Sequence, residues 1–80
     1  MKDIKIRIIN IINEVMNKEF VTINDENGNL IERGMDSVCF IQMVIALESE
    51  FDCEIPDEKI MFNSMNTINK ITDVISETIK

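Results

Sequence analysis

Apolar residues recur at spacings of three and four in three separate stretches of the chain. That period marks one face of an α-helix and constrains the fold more than any other feature. Between Lys2 and Lys18 the stripe is Ile4, Ile8, Ile11, Ile12 and Val15, with Ile6, Ile9 and Met16 broadening it, as expected of a helix gripped on more than one side. From Ser37 to about Glu50 it is Phe40, Met43, Val44 and Leu47, continued by Phe51; near the end it is Ile68, Ile71, Val74, Ile75 and Ile79. With 80 residues, two Gly and one Pro, the chain has length for one core and few breakers.

The punctuation between the stripes supports this division. Asp36 and Ser37 open the second helix, and the side chain of either can cap the free N–H groups of its first turn. Ile55 and Pro56 end the following turn, and the acidic pair Asp57 and Glu58 after the proline predicts a short third helix to about Met61. Asn66 or Thr67 caps the last helix, which is expected to reach nearly to Lys80. Phe20 to Met35, broken by Asn24, Asp25, Asn27, Gly28, Asn29 and Gly34, reads as a long loop partly packed through Phe20, Val21, Ile23, Leu30 and Ile31. The expectation is an all-α four-helix bundle with a short third helix and a long first loop, residues 1–80 forming one domain.

A second stripe runs along the helix after Ser37: Val38, Ile41, Ile45 and Glu48. It is either further core or a surface on which a partner docks. Fifteen acidic against eight basic side chains give a net charge of −7, so nucleic acid and anionic membrane are poor partners, and the charge either serves solubility or meets proteins with basic patches. Lys2, Asp3, Lys5, Arg7, Asn10 and Asn13 interrupt the first apolar stretch, which suits neither a signal peptide nor a membrane span. Cys39 and Cys53 would stand roughly 17 Å apart along a helix and are expected to be free thiols in a cytoplasmic protein.

Chemistry intrinsic to the chain is hard to build. Ser37 lacks a partner base, because there is no histidine, and a catalytic triad is excluded. Glu48 and Glu50 fall on different sides of a helix, and no glycine-rich phosphate loop occurs. The run Asp25 to Asn29 resembles a calcium loop superficially, but its glycine is misplaced and no glutamate closes a twelve-residue loop. No metal site and no enzymatic activity are expected.

Gly34, Met35, Asp36, Ser37 and Val38, followed by IQMVIALESEFDCEIP from Ile41 to Pro56, resemble the acyl carrier and peptidyl carrier protein family, the phosphopantetheine-binding carrier domains. The family's Asp-Ser-Leu motif reads Asp36-Ser37-Val38 here, and the likeness extends over most of the chain. It implies that Ser37 carries a phosphopantetheine arm derived from coenzyme A, and that a separate phosphopantetheinyl transferase installs it. Asp36 would help hold that enzyme's magnesium, and the arm's thiol, rather than Cys39 or Cys53, would hold cargo as a thioester. A helix N-terminus suits the negative charge of such a phosphodiester.

The resemblance further implies docking of partner enzymes at Val38, Ile41, Gln42, Ile45, Glu48, Ile55 and Met61. Those partners would be cargo-loading and cargo-processing enzymes: an acyltransferase and ketosynthase, or adenylating and condensing enzymes. A monomeric carrier is expected. Carriers of fatty-acid synthesis usually have acidic residues where Cys39 and Gln42 stand, leaving Glu48 and Glu50 as remaining charges. The segment Asp57 to Ile71 is also about two residues longer than theirs, in the manner of discrete carriers of polyketide or nonribosomal peptide pathways. The Gly-Gly-His/Asp-Ser signature of peptidyl carriers is only partly matched by Arg33-Gly34-Met35-Asp36. Alternatives are a fatty-acid carrier, a D-alanyl carrier of cell-wall modification, or an unmodified interaction domain with the carrier fold.

Overall fold

The computed structural model describes residues 2–61 and 63–79; Met1, Phe62 and Lys80 lie outside the described residues. The described residues form three α-helices: α1 Lys2–Met16, α2 Ser37–Phe51 and α3 Ile68–Thr78. Single 3-10 turns occur at Ile23–Asp25 and Asp57–Lys59, and there is no strand among the described residues. The all-helical expectation holds at this level.

The predicted stripes meet in one core. α1 packs against both α2 and α3. It buries Ile8, Ile9, Ile11 and Ile12 against Phe40, Met43, Val44 and Leu47 of α2 and Ile68, Ile71, Val74 and Ile75 of α3. Ile6 is half exposed, contrary to expectation. Two residues from Ile4 and from Ile8 is about 200° around a helix, which turns it away from their face. Ile79 is exposed as well, because α3 ends at Thr78 and the stripe's last member falls beyond the helix.

α1 stops at Met16, before Lys18. Asn17 takes a left-handed φ of 57°, and the Lys18 and Asn17 N–H groups donate to the carbonyls of Asn13 and Glu14, each at 3.1 Å. Two crossed bonds of this kind satisfy carbonyls that a helix end leaves free. The Asn13 side chain then gathers the loop: Oδ1 accepts the Phe20 and Val21 N–H groups at 2.9 Å, and Nδ2 donates to the Val21 carbonyl at 3.0 Å.

The far end of the loop is tied to α3. Leu30 N–H donates to the Asn66 carbonyl at 2.8 Å, and Asn69 N–H donates to the Glu26 carbonyl at 3.0 Å. Lys5 on α1 donates to both Glu26 Oε2 and Asn69 Oδ1 at 2.8 Å. With Val21, Leu30 and Met35 buried, the loop is a packed strap that fixes where α2 begins.

The expected third helix is a single 3-10 turn. Ile60 leaves helical geometry at φ −85°, ψ 71°, and its N–H closes on the Asp57 carbonyl at 3.1 Å. The chain here spans two buried anchors, Ile55 and Met65, through Asn63 and Ser64, residue types whose side chains compete for backbone groups and favour turns.

Candidate functional site

The head of α2 is prepared residue by residue. Gly34 takes a φ of +120°, which L side chains rarely adopt; a Cβ there would meet no atom within 4 Å, so the requirement for glycine is one of backbone conformation, not space. Met35 is buried, its N–H donating to the Leu30 carbonyl at 3.1 Å. Asp36 is extended at φ −88°, ψ 178°, and its Oδ1 accepts the Cys39 N–H at 2.9 Å. Of the two capping candidates the structure selects Asp36. Ser37 is left as the exposed first residue of α2.

This cap sets the local electrostatics. Hydrogen bonding from the Cys39 backbone holds the Asp36 carboxyl below its ordinary value of 3.8. Hydrogen bonding to Asp36, then desolvation and the charge of the carboxylate, push the Cys39 thiol above its ordinary 9.0. At neutral pH, Asp36 is therefore an anion and Cys39 a protonated, weakly nucleophilic thiol. Cys53 is also pushed up, by burial and by the charges of Glu48 and Asp52. Both cysteines are free.

Beside Ser37 lies an apolar hollow of about 290 Å³ lined by Ser37, Phe40, Ile41, Ile60 and Met61. Of the expected site residues, it brings together Ser37, Ile41 and Met61. Phe40 appeared in the sequence as a core residue, and Ile60 carried no signal because it lies in chain without a period. From the hollow an exposed stripe continues along α2: Val38 is 64% exposed, Ile41 49% and Ile45 60%, with Met61 at 53% beside them. Gln42 is exposed on the same helix. Val38, Ile41 and Ile45 of the second stripe are thus surface, because α1 covers the Phe40–Leu47 side.

Ile55 is a correction. Only 1% exposed, it belongs to the core and presents no surface to a partner; its place after α2 returns it beneath the helix. Glu48 and Glu50, on different sides of α2, are both engaged within the chain. Glu48 is half buried, and its Oε2 accepts the Ile55 N–H at 2.8 Å. Glu50 pairs with Arg7 Nε at 2.8 Å, while the Arg7 guanidinium lies 4.4 Å from the Phe51 ring centroid.

The arrangement fits a phosphodiester carried on Ser37. Its hydroxyl projects from the first turn of a helix, where backbone N–H groups and the helix dipole favour negative charge. Asp36 is exposed, so solvent screens its repulsion with a second anion. An apolar hollow lies within reach of whatever is attached. Such a group supplies what the chain lacks, a thiol on a long flexible arm. Among the described residues no cluster of potential ligands could hold a metal ion, so Asp36 could act on one only together with groups from elsewhere.

A family model described as "phosphopantetheine attachment site" matches residues 7–75, a span that runs from α1 into α3 and contains the capped head of α2. The chain belongs to this phosphopantetheine-binding family of acyl and peptidyl carrier proteins, carriers of a covalently attached phosphopantetheine group rather than catalysts.

Proposed function

We propose that residues 1–80 work as one carrier domain, that Ser37 is the attachment point, and that the arm holds acyl or aminoacyl intermediates as thioesters for partner enzymes. The observation that carries this reading is Ser37 itself: exposed, first in α2, and relieved of capping by Asp36. A separate phosphopantetheinyl transferase would install the arm from coenzyme A and magnesium, with Asp36 beside the metal.

Val38, Ile41, Gln42, Ile45 and Met61 form the docking surface in this reading, largely apolar and continuous with the hollow. Carriers read through acidic faces differ. Here Cys39 and Gln42 carry no charge, Glu50 is paired with Arg7, and Glu48 faces Ile55. That contrast supports a carrier of a specialised pathway, polyketide or nonribosomal peptide in type, over one for routine fatty-acid synthesis. Two free thiols support a cytoplasmic setting, and among the described residues no helix is long and apolar enough to cross a membrane. Tandem mass spectrometry of protein taken from its native cell tests the reading, since it reports arm and cargo together; Ser37 unmodified in every molecule would favour an interaction domain instead.

A further inference from the structure

One wall of the hollow beside Ser37 is helix α2. The other, Ile60 and Met61, belongs to the irregular chain between α2 and α3. That chain is suspended between two buried residues. Downstream, Met65 N–H donates to the Met61 carbonyl at 3.0 Å. Upstream, the N–H of buried Ile55 donates to Glu48 Oε2 at 2.8 Å. Between them the 3-10 turn is closed by Lys59 N–H on the Pro56 carbonyl, at 2.8 Å, and by Ile60 on Asp57.

Glu48 is therefore the junction of helix and wall. Its main-chain carbonyl accepts the N–H groups of Asp52 and Cys53, and its carboxylate reaches Ile55, so a single residue holds three points of the departing chain. Asp52 is kept there at a left-handed φ of 49°, a conformation that persists for a non-glycine residue when its surroundings over-determine it. The Ile55 N–H belongs to a residue closed off from solvent, so losing its acceptor leaves a donor that water does not readily rescue.

We infer that Glu48 is a positioning residue for chemistry at Ser37: through Ile55 it holds the Ile60–Met61 wall beside Ser37, acting as a hydrogen-bond acceptor and not as a docking charge. This rests on Ser37 being the attachment point. An enzyme that grips Ser37 meets the head of α2 and this wall together, so a loosened wall weakens productive binding and leaves the turn capped by Asp36 intact.

Two conservative variants of the full chain separate reach from charge. Glu48→Gln keeps the oxygen in place without the charge, and Glu48→Asp keeps the charge on a side chain too short to reach Ile55. Amide exchange in the unmodified protein, and KM and kcat for arm transfer from coenzyme A, are measured for both. Glu48→Asp should exchange about tenfold faster at Ile55, Lys59 and Ile60 with α1 and α3 unchanged, and should raise KM about fivefold with little change in kcat. Glu48→Gln should match the wild type in both. A raised KM in Glu48→Gln with Glu48→Asp normal would overturn the inference and make Glu48 a docking charge. Unchanged exchange in Glu48→Asp, or equal acceleration across α1 and α3, would overturn it too. Exchange needs no arm, so a wild-type chain that accepts no phosphopantetheine would defeat the Ser37 reading separately from the test of the wall.

Discussion

The Asp36 carboxylate reaches forward to accept the Cys39 N–H at 2.9 Å, and the same carboxylate raises the pKa of the Cys39 thiol. A thiolate beside an arm loaded with a thioester would exchange with it, so this contact keeps a competing nucleophile protonated. Asp36→Ser keeps a capping oxygen but removes the charge. It should speed alkylation of Cys39 at about pH 8, just below where thiols ordinarily titrate, and leave Cys53 unchanged as an internal control. Equal acceleration at both thiols would point to general loosening.

Acid should remove stability through two carboxylates, the half-buried Asp25 and the exposed Asp36. Asp25 is held below its ordinary 3.8 first by hydrogen bonding from Thr22, with Arg33 adding to it, and Asp36 is lowered by Cys39. A depressed folded-state pKa contributes stability that is complete above the unfolded value, here 3.8, and is lost as pH falls through the lower folded value. Urea midpoints should therefore fall more steeply below that pH in the wild type than in the double variant Asp25→Asn, Asp36→Asn. Parallel curves would show that neither carboxylate contributes.

The exposed stripe on α2 separates folding from docking. Ile41→Asp and Ile45→Asp should change stability by less than about 1 kcal/mol, because both side chains already face solvent. They should weaken binding to a transferase or loading enzyme about tenfold or more. Leu47→Ala, in the buried stripe of the same helix, should cost about 2–5 kcal/mol. Denaturation and binding measured together check this, and a loss of stability in Ile41→Asp comparable to that of Leu47→Ala would count against a free surface.

What was legible in the sequence follows from the range of each interaction. The three helices were readable because their stripes repeat every three or four residues, and the capped head of α2 because capping is local. Periodicity separated the two stripes of α2 by angle without saying which one faced α1; that depended on packing between elements distant in sequence. The contacts that shape the site's surroundings have no period at all. Asn13 reaches eight residues to Val21, Glu48 seven to Ile55, and Lys5 sixty-four to Asn69. Ile55 is assigned to docking by the family resemblance alone, and it lies in the core because the chain returns it beneath α2, where its N–H meets Glu48. The short third helix expected to about Met61 is a 3-10 turn at Asp57–Lys59, because acidic residues after Pro56 signal a helical start without fixing its length, and the chain must reach the buried anchor Met65.

The central claim is that Ser37 bears the arm. Intact mass after incubation with coenzyme A, magnesium and a broad-specificity phosphopantetheinyl transferase tests it most directly, with Ser37→Ala alongside and a known carrier as positive control. The expected result is the gain of one phosphopantetheine group by the wild type and none by Ser37→Ala. Equal gain in both proteins, or no gain in a wild type treated with transferase active on the control, would contradict it.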